Sequence, residues 1–226
     1  MSAMPGFDPQ AIAAVIFDMD GLLLDSEQLA YDIGRQVSLD LGIPWTHEAA
    51  MQLIGRNSRE HEAVLKAAFG EDYPLAAHQA EFGRRYEALI ATGTIPLKPG
   101  VHALFDVLEA RGIARGVATS TRRSRALPKL EHVGLLARID VVVAGDEVSR
   151  GKPAPDIYQA AAARLGVAPA RCLALEDSNA GVRAAHAAAM AVVMVPDLLE
   201  PAEDVLAAGI PVARSLLDIA ARFTHQ

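Results

Sequence analysis

Five short apolar runs, AAVIF (13–17), IARGVAT (113–119), VVVAG (141–145), CLALE (172–176) and AVVMV (191–195), punctuate the chain. None of them alternates polar with apolar residues. A strand covered on both faces reads this way, whereas a half-exposed strand alternates. Helical patterns separate the runs. In GVHALFDVLEARG, Val101, Leu104, Phe105 and Leu108 share one face, and Gly112 is placed to stop the helix. TRRSRALPKLEHVG, DIYQAAAARLG and NAGVRAAHAAA follow in the same manner. Strands alternating with helices call for right-handed crossovers, so the expected fold is α/β, a Rossmann-like, doubly wound parallel sheet.

One spacing breaks this rhythm. The first run ends near Asp18 and the second begins near Ile113, a gap far too long for a crossover loop. Only its last helix, at about 100–110, is needed to cross over. The remainder reads as an inserted, all-helical unit. Asp25-Ser26-Glu27-Gln28 has the form of a capping box, opening a helix with the stripe Leu29, Ile33, Val37 and Leu41, which Gly42 and Pro44 close. Thr46 is expected to cap a short helix to Ile54 and Ser58 another ending near Gly70. Pro74 precedes a longer helix through Tyr86, Leu89 and Ile90. The expected division is a core of residues 1–21 plus 97–226 and a helical domain of 22–96.

Bulk properties narrow the function. Of 226 residues, 51% are hydrophobic, which supports a sizeable core. A net charge of −7 argues against a nucleic-acid binder with a basic surface. The lone cysteine, Cys172, lies in an apolar run; it reads as a small buried hydrophobe and fits a reducing compartment. The opening MSAMPGFDPQ lacks the basic-then-apolar layout of a secretory signal, and no apolar stretch is long enough to span a bilayer. The expectation is a cytoplasmic monomer without nucleic-acid or membrane partners.

In open α/β sheets, ligands sit beyond the carboxyl ends of the strands. There the first run delivers Asp18 and Asp20, the second Thr119, Ser120 and Thr121, and the fourth Glu176 and Asp177. The loop after the third delivers Lys152 in SRGKPAPD. Several carboxylates in one crevice repel one another unless a cation joins them, and a hard divalent ion with oxygen ligands answers that need. Lys152 adds a compact positive charge. Thr119 offers a hydroxyl, and the amides opening the next helix can hold anionic oxygens. Such a set suits phosphoryl transfer, in which one carboxylate attacks phosphorus and another moves protons.

DMDG (18–21), VATS (117–120), GKPAPD (151–156) and LEDSNAGVRAA (175–185) resemble, in order and spacing, the four motifs of the haloacid dehalogenase-like hydrolase superfamily. The likeness covers essentially the whole chain. It implies that Asp18 is the nucleophile and a Mg²⁺ ligand. Asp20 would be the general acid/base, lending its backbone carbonyl to the metal. Thr119 would bind the phosphoryl group, Lys152 would steady the nucleophile, Asp177 would ligate the metal, and Glu176 would assist it. The helical insertion resembles the family's cap. The nearest branch is the β-phosphoglucomutase-like and sugar-phosphate phosphatase group, which makes the expected substrate a small phosphorylated metabolite.

An acid at Asp20 points to phosphoryl chemistry rather than carbon–halogen cleavage. Mutases of this branch carry a histidine early in the first cap helix, and Ala30 falls there instead. NSRE (57–60) matches the mutase-like cap loop, so Arg59 and Arg56 are candidates, with Ser120, for substrate binding. The leading expectation is therefore a Mg²⁺-dependent phosphatase. The alternatives are a sugar phosphomutase and a non-catalytic phospho-acceptor module. Arg122, Arg123 and Arg125, crowding a helix start, read as a solvated, partly paired face.

Overall fold

The computed structural model describes residues 6–43, 45–48, 58–92 and 95–224, without the side chains of 58–61. Five strands form one sheet: β1 (Ala14–Phe17), β2 (Ala114–Ala118), β3 (Val141–Val143), β4 (Cys172–Glu176) and β5 (Ala191–Met194). All pairings are parallel, in the order β3-β2-β1-β4-β5. The chain thus winds to one side of β1 and then to the other. The switch point, where such sheets open a crevice, lies between β1 and β4.

Each apolar run became a strand because both faces of the sheet are covered. Val15, Phe17, Val117, Leu173, Leu175 and Val193 pack towards Leu104, Phe105, Leu108, Ile219 and Phe223. These partners come from α4 (Val101–Ala110) and α9 (Leu216–Thr224), two of the helices on that face. Ala14, Ile16, Ala118, Ala174 and Val192 join Ile157, Tyr158, Ala161, Val182 and Ala185 on the other face. Those belong to α6 (Asp156–Leu165) and α7 (Asn179–Ala187). Burying one Leu or Phe side chain contributes roughly 1.5–3 kcal/mol, so this two-sided core is what fixes the strand ends in space. The short α8 (Glu203–Ala207) follows β5.

The insertion between β1 and α4 carries α1 (Ser26–Asp40), α2 (Ser58–Phe69) and α3 (Leu75–Ala91), and no strand of the sheet among the described residues. Backbone pairing stitches its two ends together. Leu24 bridges Leu97 in antiparallel fashion. The Asp25 amide donates to the Pro96 carbonyl at 2.9 Å, and the Lys98 amide to the Leu23 carbonyl at 2.9 Å. Within the cap, Trp45 packs against Gly34 and meets Tyr31 edge-on at 6.0 Å. The cap rests on the core through α3 and α5 (Arg123–His132), with Arg125 and Glu87 paired at 3.0 Å.

One local expectation differs. The capping box does not form: Asp25 makes no side-chain bond to the helix, and the Ser26 hydroxyl donates instead to Asp20 at 2.6 Å. The Asp25 amide is committed to the Pro96 carbonyl and its carboxylate faces the Lys98 ammonium at 3.4 Å, a charged donor that outcompetes a helix amide. The short helix expected from Thr46 to Ile54 falls largely outside the described residues, which show helical turns only at 47–48. Among the described residues no helix is long and apolar enough to cross a membrane.

Candidate active site

Strand register brings the motifs together. Phe17 lies opposite Val117 on one side and Leu175 on the other. The residues that follow, Asp18, Thr119 and the Glu176–Asp177 pair, therefore emerge at one edge, and the Asp18 amide still donates to the Leu175 carbonyl at 3.0 Å. Asp18, Glu176 and Asp177 are buried, with carboxylate oxygens all within 4.8 Å of one another. Lys152 sits among them. Its ammonium donates to Asp18 Oδ1, and to Glu176 Oε1 at 2.5 Å.

Glu176 is an anchored residue. Oε1 also accepts from the Tyr158 hydroxyl at 2.7 Å, and Oε2 accepts from the Ser178 amide (3.2 Å) and hydroxyl (3.0 Å). The same Ser178 hydroxyl caps α7 by accepting from the Gly181 amide at 3.1 Å. Glu176 therefore holds Lys152 in place, while Asp18 and Asp177 have oxygens left over for a ligand.

Charge is out of balance here, with three carboxyls facing one lysine. Burial, only partly offset by Lys152, pushes the Asp18 carboxyl up to about 7. Burial and the charges of Asp18 and Glu176 push Asp177 well above the carboxylate range. Lys152 moves the other way: burial disfavours its charge, but Asp18 and Glu176 outweigh that and hold it firmly protonated. Hard oxygen donors, crowded and short of positive charge, fit a divalent cation.

Asp20 stands apart from this cluster. Its Oδ1 accepts from Ser26 and, at 2.7 Å, from Lys129; its Oδ2 accepts from the Thr121 hydroxyl at 2.7 Å. Burial alone would raise its affinity for a proton, but the Lys129 charge and these hydrogen bonds hold it below the ordinary value. Lys129 is buried, with its ammonium 4.9 Å from the centre of the Tyr86 ring of α3. Asp20 is thus gripped between the core and the cap.

Thr119 is buried, and its Oγ1 accepts from the Thr121 amide at 3.1 Å, which leaves its own O–H to donate elsewhere. Ser120 is exposed beside it. Arg56 lies outside the described residues, and of Arg59 only the backbone, in the first turn of α2, is described. Arg123 pairs with Glu147 at 3.1 Å and Arg125 with Glu87, the partly paired face expected of that cluster.

Sequence reasoning did not single out Lys129, Tyr158, Ser178, Glu27 or Asp197. Glu27, in the first turn of α1, is pushed up to about 8 by burial and by the charges of Asp20, Asp18 and Asp197. Asp197 follows β5. Its signal was present in the sequence, since AVVMV also stops at a polar residue, two positions on.

The sequence matches the model of the haloacid dehalogenase-like hydrolase family over residues 12–189. The chain belongs to that family. Among similar haloacid dehalogenase-like proteins is the phosphorylated carbohydrates phosphatase of Thermotoga maritima, 35% identical over 77% of this chain and 81% of that protein. The fructose-1-phosphate phosphatase YqaB of Escherichia coli is 34% identical over 79% of this chain and 93% of its own length. The crystal structure of CbbY from Rhodobacter sphaeroides in complex with phosphate superimposes with a TM-score of 0.77 at 29% identity, covering 94% of this chain and 99% of that one. A haloacid dehalogenase-like hydrolase with a helical cap on a parallel sheet is what the motifs led us to expect.

Proposed function

We propose that this hydrolase is a Mg²⁺-dependent phosphatase that removes the phosphoryl group from a small phosphorylated metabolite, a sugar phosphate by class, through an aspartyl-phosphate on Asp18. The observation that carries the reading is the placement of Asp18. Its carboxylate is fixed by Lys152 at the end of the central strand with Asp177 beside it, and the neighbouring strand ends at Thr119, whose O–H is left to donate. The phosphatases named above, both acting on phosphorylated sugars by their names, support the substrate class.

Asp18 and Asp177 would hold the divalent ion, which supplies charge neutralisation at the phosphoryl oxygens. Lys152 steadies the attacking oxygen, and the Thr119 hydroxyl donates to a phosphoryl oxygen. Asp18 attacks phosphorus and the bond to the leaving oxygen breaks, with Asp20, which takes up a proton once it leaves the Lys129 grip, giving that oxygen its proton. Asp20 then takes a proton from water, which attacks the phosphorus and releases Asp18. In the arrangement described both Asp20 oxygens are engaged by Ser26, Thr121 and Lys129, so reaching the leaving oxygen means turning away from at least part of that grip. We take residues 22–96 as the cap that excludes water while this happens. Ala30, where a mutase carries its histidine, favours release of phosphate over its return to substrate.

Replacement Asp18→Asn tests this. Hydrolysis of p-nitrophenyl phosphate is expected to fall by about 10³-fold or more, with an unchanged circular dichroism spectrum. Wild-type turnover by that variant would contradict the assignment.

A further inference from the structure

A fifth strand end reaches the site without a role in the chemistry above. Asp197 follows β5, the neighbour of β4, and only 8% of its side chain is exposed. Its two oxygens are treated unequally. Oδ1 accepts from Lys98 at 2.6 Å, whereas Oδ2 is buried and has no hydrogen-bond partner among the described residues. A carboxylate oxygen shut away from solvent without a donor is rare in folded proteins and marks a missing partner.

The direction of that oxygen can be read at Gly21, in the loop after β1. A Cβ there would lie 2.3 Å from Asp177 Oδ2 and 3.3 Å from Asp197 Oδ2. Both oxygens therefore lie against the same glycine, held at φ +86°, with Asp177 Oδ2 crowding the place a Cβ would take. Asp197 also acts electrostatically on Glu27 together with Asp20 and Asp18. Asp197 Oδ2 thus lacks a donor while lying close to the Asp177 carboxylate that would hold the ion. A hydrated dication supplies one, because Mg²⁺ keeps several of its waters and those waters donate strongly.

We propose that Asp197 is a positioning residue for the cation site. Its Oδ2 accepts a hydrogen bond from a water on the ion held by Asp18 and Asp177, while Oδ1 stays paired with Lys98. This rests on the cation reading given above and adds a residue to it. Outer partners of this kind are worth about ten- to hundredfold in metal affinity.

The test is a titration of metal-free protein with MnCl₂, reading free Mn²⁺ by electron paramagnetic resonance. Asp197→Asn is expected to weaken Mn²⁺ binding about ten- to hundredfold. Lys98→Met, which frees Asp197 of its counter-charge, is expected to bind at least as tightly as wild type. Equal affinity in wild type and Asp197→Asn would overturn the proposal. So would a loss in Lys98→Met as large as that in Asp197→Asn, since Asp197 would then act only through its ion pair. Wild-type protein that takes up no Mn²⁺ would instead overturn the cation reading itself. Should Asp197→Asn fail to fold, a crystal of wild-type protein grown in MgCl₂ decides. A water touching both the ion and Asp197 Oδ2 supports the proposal, and its absence defeats it.

Discussion

Single residues carry the precision of this site, and the glycines show how little room is left. A Cβ on Gly181 would fall 1.8 Å from Glu176 Oε1. Glu176 cannot move aside, because Lys152, Tyr158 and Ser178 hold both its oxygens. Gly181→Ala is expected to destabilise the fold by about 1–3 kcal/mol, as overpacking does. Thermal unfolding would show this as a fall of about 2–4 °C per kcal/mol for a chain of this size. The loss of kcat should exceed what stability explains, since the displaced Glu176 drags Lys152 away from Asp18. The sequence makes part of this legible. Asp18, Thr119, Glu176 and Asp177 each stand where an apolar run stops, and parallel register carries those stops to one edge. Lys129 and Tyr158 give no such signal. They sit inside helices, where the direction of a side chain depends on how the helix docks, and that is settled only by packing.

At the level of elements, α5 does more than cross over. Its buried stripe of Ala126 and Leu130 also carries Lys129, a cation placed where a hydrophobe would be ordinary. That lysine joins α5 to the loop after β1 through Asp20 and to cap helix α3 through Tyr86. Replacing it with Met removes one partner of a buried pair, a change that costs about 3 kcal/mol where the other charge is left behind. Asp20 would then bind its proton more tightly, since the largest influence holding it down is gone. Lys129→Met should therefore shift the alkaline limb of the kcat/KM profile, the limb set by a group that must be protonated, to higher pH, measured with a sugar phosphate across a pH series. An unmoved limb would show that Lys129 serves stability alone. Helix and strand order was readable because hydrophobic runs set it. The capping box was misread because motif logic weighs neighbours in sequence, while Ser26 found a better acceptor six residues back and Asp25 lies 3.4 Å from Lys98.

Taken whole, the molecule gathers its acids at one sheet edge, and its stability must answer to pH. Glu27 binds its proton up to about 8, against an ordinary value of 4.5. A group whose affinity for protons is raised by folding stabilises fully below its ordinary value, and the benefit fades as pH climbs through the raised one. In chelator, the unfolding temperature should drop between about pH 5 and pH 9, and Glu27→Gln should flatten that slope. Scanning calorimetry in buffers of matched ionic strength checks both. The bridge between Leu24 and Leu97 has a consequence of another kind. The chain leaves the core and returns to it at adjoining points, one strand spacing apart. Whatever is looped out there can lengthen or shrink without rethreading a strand. Insertion and core can thus change length independently over generations.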